Sequence, residues 1–251
     1  MKISVVVPAY NEANRIPPTL ERIVSYLRER HPDYEVIVVD DGSNDSTREI
    51  VQRQFDGTSQ VEVVSYGGNR GKGYAIRYGM SRARGDLVVF SDADLSTPIE
   101  EIEKMLPLME QGYDIVIGSR AHAQADIREH QPLYRELGGK LFNFMVRLVV
   151  MPDLHDTQCG FKLFRRAATL PILPHLRIDG FAFDVEILAL ARAAGLRIAE
   201  VPVVWINSRT SKVRMSAASR AYLDLLGIRL RARRMQAEHN AAGRPHPAPP
   251  Q

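Results

Sequence analysis

Cysteine is almost missing from this chain, which has one, Cys159, among its 251 residues. A single cysteine excludes an internal disulfide bond, so we expect the protein to work in a reducing compartment. Long hydrophobic runs are missing as well. Asn143 and Arg147 interrupt the most apolar segment, residues 141–151, which falls well short of the roughly 20 apolar residues that cross a bilayer. Because a strand pattern opens the chain almost at once, we also expect no N-terminal signal segment.

The net positive charge of the whole chain is small, but basic residues outnumber acidic ones strongly near its end. The formal net charge is +3, whereas the segment from Arg209 onward holds nine basic and two acidic residues and alone carries +7. This skew favours an anionic partner, either a phosphate group or a membrane surface, although a basic segment that only improves solubility fits equally well. A nucleic acid is not expected, because aromatic residues are sparse there. We therefore expect a cytoplasmic protein, peripheral at the cytoplasmic face of the membrane.

Strand and helix patterns alternate through the first half of the chain. Apolar runs predict strands, and apolar residues at helical spacing, such as Leu20, Ile23 and Leu27, predict the helices between them. Such repeated units are typical of an α/β fold with a Rossmann-like, mostly parallel sheet flanked by helices. Strands are predicted at residues 3–7, 34–39, 61–65, 87–90, 114–118, 161–164 and 198–205.

The second half of the chain is less regular. Residues 121–135 are polar and predict a mobile loop near a site, and helices are predicted at 139–151 and 184–194. The expected organisation is a single domain over residues 1–214, a basic amphipathic helix over 215–236 and a disordered tail over 237–251.

Two aspartates at the end of an apolar strand are the strongest chemical signal. Asp92 and Asp94 follow the run at 87–90 and are separated by Ala93. The carboxyl ends of strands in an open α/β sheet line the ligand crevice. Mg²⁺-type ions take one or two carboxylates and complete their coordination with substrate phosphates. The pair therefore predicts a divalent metal, Mg²⁺ or Mn²⁺, beside a nucleotide diphosphate, and an Asx turn is the alternative.

Carboxylates also end the neighbouring strand, at Asp40 and Asp41. Asp41 is a candidate for accepting a proton from uracil N3–H or from a guanine edge, whereas a capping role fits Asp40 better. Segment 69–73, Asn-Arg-Gly-Lys-Gly, precedes a helix. Its glycines let backbone N–H groups and Lys72 approach a phosphate, and a plain turn is the alternative.

Further candidates lie at two other strand ends. Tyr10 and Glu12 suit stacking and hydrogen bonding to a base and ribose, and Tyr10 also fits a place in the core. Arg120 ends another strand, where its guanidinium can hold phosphate bidentately. Other basic residues would add to that charge, although each alone also fits a solvated surface position: Arg135, Arg209, Lys212 and Arg214.

Taken in order, these motifs resemble the family 2 glycosyltransferases of the GT-A fold. The resemblance rests on Val-Val-Pro-Ala-Tyr-Asn-Glu at 6–12, Val-Val-Asp-Asp-Gly-Ser at 38–43 and Asp-Ala-Asp at 92–94. A closer resemblance, to the dolichyl-phosphate β-glucosyltransferases and their polyprenyl-phosphate relatives, rests on segments 69–73, 118–122, 156–164 and 183–186. It extends over about residues 3–214.

The resemblance implies transfer of a hexose from a nucleotide sugar to a polyprenyl or dolichyl phosphate. UDP-glucose is the expected donor and GDP-mannose the next. Ser211 and Lys212 are implied in a closing loop, Arg120 on the phosphates, and Asp92 and Asp94 as metal ligands. The expected donor-binding residues are Pro8, Tyr10, Glu12, Val39, Asp41, Lys72, Asp92, Ala93, Arg209 and Lys212.

The expected reaction is one in-line displacement at the sugar C1, which inverts an α-linked donor to a β-linked product. A phosphate acceptor needs no base because its second pKa is about 6, whereas a sugar hydroxyl needs one, such as Asp156 or Asp184. Structural roles, in a turn and as a helix cap, also fit these two aspartates. The expected catalytic residues are Asp94, Arg120, Asp156 and Asp184.

The helices at 139–151 and 215–236 place apolar residues next to basic ones. This pattern fits helices that rest on an anionic leaflet, and the same faces fit a homo-oligomer interface.

Three other functions of the protein stay open. They are transfer to a saccharide hydroxyl, nucleotidyl transfer (which usually has a glycine-rich loop after the first strand) and a non-enzymatic nucleotide-binding or membrane-docking module.

Overall fold

The structure, a computed structural model, describes residues 1–129, 133–207 and 215–241. The strands are β1 (Ile3–Ala9), β2 (Tyr34–Asp40), β3 (Val61–Ser65), β4 (Leu87–Ser91), β5 (Ile115–Ser119), β6 (Asp126–Glu129), β7 (Phe161–Arg165), β8 (Ile198–Pro202) and β9 (Val204–Ile206). The α-helices are α1 (Ile16–Arg30), α2 (Thr47–Gln54), α3 (Lys72–Arg82), α4 (Ile102–Glu110), α5 (Leu133–Val149), α6 (Arg166–Thr169), α7 (Phe183–Ala193) and α8 (Met215–Ala241). Short 3₁₀ segments lie at Ile99–Glu101 and Leu170–His175.

The central sheet has seven strands in the order β3-β2-β1-β4-β7-β5-β8. β7 runs antiparallel to its neighbours β4 and β5, and the other neighbouring pairs are parallel. The carboxyl ends of β1, β2 and β4 therefore meet at one edge of the sheet, and the amino end of β7 reaches the same edge. This confirms the predicted mostly parallel sheet and places the predicted site at that edge.

Helices cover both faces of this sheet. Side chains of α3, α5, α7 and α8 pack on one face, and those of α1 and α4 pack on the other. Strand β2 is buried along its whole length, as expected of a parallel strand covered on two sides. On the α3 face Gly79 lets the helix approach closely, because a Cβ there would lie 2.8 Å from the side chain of Val39.

Two segments predicted after β5, at 121–135 and 198–205, differ in detail from the structure. The strand predicted at 198–205 is two strands, since β8 ends at Pro202, which has no N–H to continue a ladder. β9 instead pairs with β6 in a separate two-stranded sheet. The loop predicted at 121–135 contains β6 and the start of α5 at Leu133. β6 was missed because its sequence, Asp-Ile-Arg-Glu, is short and largely charged.

The C-terminal helix is longer than predicted. α8 continues to Ala241, so residues 237–241 of the predicted disordered tail are helical. Their sequence, Ala-Glu-His-Asn-Ala, contains no residue that stops a helix. Residues 242–251 lie outside the described residues. Within the described ranges, no helix has both the length and the apolar character needed to span a membrane.

A buried carboxylate at the start of β2 stabilises the end of the sheet opposite the predicted site. Glu35 is 4% exposed and accepts hydrogen bonds from Ser4 Oγ (2.6 Å) and from the Arg84 N–H and Nε (2.6 and 2.9 Å). Burial works to raise the pKa of Glu35, but these hydrogen bonds outweigh it and lower the pKa to about 2. The ionised form is therefore the one that stabilises the fold.

Glu35→Gln is expected to lower the free energy of unfolding at pH 7 by about 2 to 3 kcal/mol. A depressed pKa gives stability that is present above the ordinary value of 4.5 and is lost as the pH falls towards 2. The difference between variant and wild type should therefore shrink over that range. Urea unfolding at pH 7 and pH 3 measures it, with the exposed Glu62→Gln as control. Equal stability of Glu35→Gln and wild type at pH 7 would contradict this prediction.

Candidate active site

The carboxylates of Asp92 and Asp94 lie in the turn that follows β4. Asp92 Oδ1 is 2.5 Å from Nζ of Lys72, the first residue of α3. Asp94 Oδ1 accepts a hydrogen bond of 3.1 Å from the N–H of Ser96. The structure thus contains the Asx turn offered as an alternative, and this turn orients Asp94 without removing Asp92 from the edge of the sheet. The Asx turn and the predicted binding role of Asp92 and Asp94 therefore do not exclude each other.

Glycine at position 160 creates the space in which Asp92 lies. A Cβ on Gly160 would overlap the carboxylate of Asp92. Main-chain atoms of the two residues also meet, since the N–H of Asp92 donates to the carbonyl of Gly160 at 3.2 Å. Because Gly160 directly precedes β7, the reversed strand shapes the carboxylate site from the opposite side.

Lys72 faces several carboxylates around this turn. Burial, followed by the charge of Asp92, raises the pKa of Asp94. Burial works to lower the pKa of Lys72, but the charges of Asp92, Asp184 and Asp94 outweigh it and raise the pKa. The ammonium of Lys72 therefore lies in the field of three carboxylates, one of which, Asp184, also pairs with Lys162.

An ion pair after β1 adds to this site. Both oxygens of Glu12 accept hydrogen bonds from Arg15, at 2.6 Å each. Burial works to lower the pKa of Arg15, but Glu12, Asp94 and Asp92 raise it. The guanidinium therefore interacts electrostatically with Asp92 and Asp94 as well as with Glu12. The predicted contact of Glu12 with a nucleotide stays a prediction.

The other residues predicted around the nucleotide differ in exposure. Tyr10 is 36% exposed, which excludes its placement in the core. Pro8 is partly exposed, whereas Val39 and Ala93 are buried, so these two offer mainly their main-chain atoms to a ligand. The carbonyl of Ala93 already accepts a hydrogen bond of 2.8 Å from Thr19 Oγ1.

Asp41 holds the loop that leads to Lys72. Its carboxylate accepts hydrogen bonds from the Tyr66 hydroxyl (2.9 Å), the Asn69 side-chain amide (3.0 Å) and the N–H groups of Arg70 (2.7 Å) and Gly71 (2.9 Å). These four donors match the roughly four lone-pair positions of a carboxylate. A contact between Asp41 and a base stays a prediction, and it requires one of these donors to move.

Asp40 and Gly42 complete the end of β2. Asp40 Oδ1 accepts a hydrogen bond of 3.1 Å from the N–H of Ser43, which stabilises the turn. The predicted helix-capping role of Asp40 is wrong, because α2 begins at Thr47 and its N-cap residue is Ser46. Gly42 has φ +71°, and a Cβ there would lie 2.5 Å from the main chain of Gly68. The β2 turn and the loop before Lys72 are therefore in direct contact.

Backbone strain marks both turns of the crevice. Among the described residues, the two that are not glycine and have positive φ are Asn11 (φ 56°), after β1, and Leu95 (φ 48°), after β4. Leucine rarely adopts this conformation, which costs about 1 to 2 kcal/mol. Residues in strained conformations cluster at functional sites in proteins, so the conformation of Leu95 supports a functional role for its turn.

Arg120 and Asp156 form a largely buried ion pair at the end of β5. The main-chain N–H, Nε and Nη2 of Arg120 donate to Asp156 at 2.9, 2.7 and 2.9 Å. Burial works to raise the pKa of Asp156, but Arg120 outweighs it and lowers the pKa. The guanidinium also lies 5.5 Å from the ring centre of Trp205 and within the field of Asp92. The pair fixes Arg120 at the crevice, and its contact with phosphate stays a prediction.

Asp184 lies in the first turn of α7 and pairs with a buried lysine. Lys162 on β7 is fully buried, donates to the carbonyl of Cys159 at 2.6 Å and forms a short hydrogen bond to the Asp184 carboxylate. Burial raises the pKa of Asp184, and Lys162 and Lys72 oppose this. The position before the helix, where a capping side chain would lie, is occupied by Ala182. The predicted capping role of Asp184 is therefore wrong, and ion pairing replaces it.

Several predicted residues cannot be placed. Arg209, Ser211, Lys212 and Arg214 lie outside the described residues, and so does the side chain of Arg135. Their predicted contacts with donor and phosphate stay predictions.

Sequence reasoning missed three residues of the candidate site, namely Arg15, Gly160 and Lys162. A glycine immediately before a strand and a lysine inside an apolar strand were the available signals for the last two.

The donor set fits a hard divalent cation. No group of three or more His, Cys, Asp or Glu side chains with metal-binding geometry occurs in the part of the chain that is described. Two carboxylates, Asp92 and Asp94, are enough when substrate phosphates complete the coordination. The ammonium of Lys72 lies on Asp92, so this carboxylate accepts a positive charge.

The fold is shared with solved glycosyltransferases. The glucosyl-3-phosphoglycerate synthase of Mycobacterium tuberculosis in complex with Mn²⁺ and UDP-glucose superposes with a TM-score of 0.67 at 23% identity, over 91% of this chain and 78% of that one. The mannosyl-3-phosphoglycerate synthase of Rubrobacter xylanophilus has a TM-score of 0.64 at 22% identity, over 95% and 75% of the two chains. At such identities the likeness shows the fold alone.

Sequence relatives carry the comparison further. The family model for glycosyl transferase family 2 matches residues 4–171. Human dolichyl-phosphate beta-glucosyltransferase is 38% identical over 92% of this chain and 75% of its own length. The Saccharomyces cerevisiae enzyme of the same name is 36% identical over 91% and 74%. This chain therefore belongs to glycosyl transferase family 2, within the group that contains the dolichyl-phosphate beta-glucosyltransferases.

Proposed function

We propose that this glycosyltransferase transfers glucose from UDP-glucose to a dolichyl or other polyprenyl phosphate, with inversion at the sugar C1. The relatives at 36 to 38% identity bear that activity in their names, and a structural neighbour was solved with UDP-glucose and Mn²⁺. The observation in this chain that carries the proposal is the meeting of Asp41, Lys72, Asp92 and Asp94 at one sheet edge.

The state of the two candidate bases supports a phosphate acceptor. Asp156 is bound through both oxygens to Arg120, and Asp184 is buried against Lys162. A sugar hydroxyl would require one of them to leave its partner and accept a proton. A phosphate monoester is largely dianionic at neutral pH, since its second pKa is about 6, and attacks without a base.

We propose that Asp92 and Asp94 hold Mg²⁺ or Mn²⁺ together with the donor diphosphate. When bound, such an ion would neutralise charge on the departing nucleotide diphosphate. Two cations supply fixed positive charge near the turn that follows β4. Lys72 is paired with Asp92, and Arg120, which interacts with Asp92, is held in place by Asp156. Preorganised charge of this kind lowers the barrier because it need not rearrange during the reaction.

The remaining donor contacts are proposed from the same geometry. Tyr10 and Pro8 offer exposed surface for the base, and Glu12 and Asp41 offer carboxylates. Arg209 and Lys212 are proposed to approach the phosphates from the segment that follows β9.

We propose that an apolar face on α5 and α8 docks on an anionic membrane surface. The two helices pack together through Phe142 and Tyr222, whose ring centres are 5.3 Å apart. Exposed basic side chains accompany the apolar ones, which favours an anionic leaflet at the cytoplasmic side over an apolar protein partner. The apolar residues, each more than half exposed, are Leu137, Leu141, Phe144 and Leu148 on α5 and Leu223, Leu226 and Leu230 on α8. The basic ones are Lys140, Arg147, Arg229 and Arg233.

The double variant Phe144→Glu, Leu226→Glu is expected to bind anionic vesicles at least about tenfold more weakly than wild type, because each side chain loses apolar burial of about 1.5 to 3 kcal/mol. Co-sedimentation with vesicles of phosphatidylserine and phosphatidylcholine measures this. Gln52→Glu, which adds an exposed acidic residue on α2, is the control and should bind normally. Wild-type vesicle binding by the double variant would overturn the proposed membrane face.

Labelled donors test the reaction itself. Purified protein is incubated with dolichyl phosphate in vesicles, Mg²⁺ or Mn²⁺, and either labelled UDP-glucose or labelled GDP-mannose. Label from UDP-glucose is expected in the lipid extract. Label from GDP-mannose alone would overturn the proposed donor. Transfer only to added saccharides would overturn the proposed acceptor, and Asp156→Asn or Asp184→Asn would then have to abolish it.

A further inference from the structure

The carboxylate of Glu186, inside α7, joins two distant parts of the chain. Its side chain is fully buried. Oε2 accepts hydrogen bonds from the N–H groups of Arg177 (2.9 Å) and Ile178 (2.8 Å), and Oε1 lies 2.8 Å from Arg231 Nη2 on α8. One buried charge thus ties the C-terminal helix to the segment 176–180 that precedes α7.

Segment 176–180 in turn supports the loop that carries Lys72. The carbonyl of Asp179 accepts a hydrogen bond of 2.8 Å from the N–H of Gly73. Gly71, with φ +105°, approaches the same carbonyl so closely that a Cβ there would lie 2.5 Å from the oxygen. The residues on both sides of Lys72 therefore lie against Asp179, so segment 176–180 fixes where Lys72 meets Asp92.

Arg77 makes a second connection between these elements. From α3, its guanidinium donates to the carbonyl of Leu176 at 3.0 Å and to the carboxylate of Asp179 at 2.8 Å. Segment 176–180 is thus held between α3 on one side and Glu186 on the other.

A glycine inside α8 makes room for the cation on Glu186. A Cβ at Gly227 would lie 3.2 Å from Arg231 Nη1. Glycine in a helix interior costs about 1 kcal/mol relative to alanine, so a packing reason is expected for it. A buried carboxylate also needs a charged partner, because removing that partner leaves an uncompensated charge.

We infer that Arg231 and Glu186 are positioning residues through which α8 holds the Lys72 loop in place for the donor diphosphate. The same helix carries exposed leucines of the proposed membrane face. The inference rests on the proposed function only for the identity of the donor, because the chain of contacts from Arg231 to Lys72 does not depend on it.

Hydrogen–deuterium exchange on the full chain tests the connection without any substrate. Arg231→Met is expected to raise exchange about tenfold in residues 69–74 and 176–180, since the ion pair with the buried carboxylate of Glu186 is lost, while the strands of the sheet stay protected. Arg234→Met, which changes an exposed arginine on the same helix, should leave both segments unchanged. Gly227→Ala, which crowds the guanidinium but favours the helix, should give a smaller rise in the same segments. Wild-type exchange of both segments in Arg231→Met and in Gly227→Ala would overturn the inference.

Donor kinetics supply a readout that a purely structural role would not move. Arg231→Met is expected to raise the KM for UDP-glucose about tenfold with kcat changed by less than about twofold, and Arg231→Lys should recover part of the loss. An unchanged KM in folded Arg231→Met would overturn the inference. If the wild type does not use UDP-glucose, the proposed donor fails, and the exchange experiment still decides the inference.

Discussion

Replacement of Asp92 by asparagine is expected to lower glucosyl transfer about 100- to 1000-fold. Asparagine keeps the shape of the side chain but removes the charge that lies 2.5 Å from Lys72 and would hold the metal and diphosphate. Asp94→Asn should have a similar effect, because the two carboxylates share one turn. Initial rates of transfer to dolichyl phosphate over a range of Mn²⁺ concentrations measure the loss, and electron paramagnetic resonance of Mn²⁺ measures metal binding directly.

Asp86 provides a matched control for Asp92. It precedes β4 at the opposite end of the same strand, where its carboxylate accepts a hydrogen bond of 2.9 Å from the N–H of Lys2. Asp86→Asn should transfer glucose at close to the wild-type rate. Metal-independent transfer by the wild type, or near-normal rates and Mn²⁺ binding in Asp92→Asn, would rule out the metal-ligand role.

Replacement of Arg120 by methionine should reduce both stability and transfer. The change removes two side-chain hydrogen bonds to Asp156 and leaves a buried carboxylate without its cation, which typically costs about 3 to 5 kcal/mol of unfolding free energy. Loss of the guanidinium proposed to face the donor diphosphate should lower transfer about 100-fold or more. Urea unfolding and transfer assays on the same preparation measure the two effects.

The double variant Arg120→Met, Asp156→Asn separates these effects. The second change removes the uncompensated charge, so most of the lost stability should return. Transfer should stay low, because no cation has been restored at the crevice. Recovery of transfer together with stability would mean that Arg120 acts only through the fold.

Local sequence patterns were enough to predict which residues lie at the carboxyl ends of β1, β2 and β4. Apolar runs placed β1, β2 and β4, and a parallel sheet brings their carboxyl ends to one edge. Asp41, Lys72 and Asp92 therefore meet, although 51 positions separate the first from the last. Residues at strand ends are predictable in this way because the geometry of the sheet determines where a strand end lies.

The other half of the crevice depends on long-range pairing that no local pattern encodes. The strand at 161–164 was predicted, but not that β7 would insert antiparallel between β4 and β5. For that reason the contact of Gly160 with Asp92 and the burial of Lys162 against Asp184 were missed. Whether Asp156 and Asp184 act as bases or have structural roles stayed open from sequence, since both roles use the same carboxylate.

The reversed strand has a consequence for how such an enzyme can diversify. Because β7 runs against its neighbours, the crevice is assembled from two separate stretches of chain, one ending at β4 and the other extending from Arg120 to Lys162. Changes in the second stretch that keep Arg120, Asp156 and Gly160 would preserve the contacts of the proposed donor site. Chimaeras that exchange the rest of that stretch would therefore test whether it determines the acceptor.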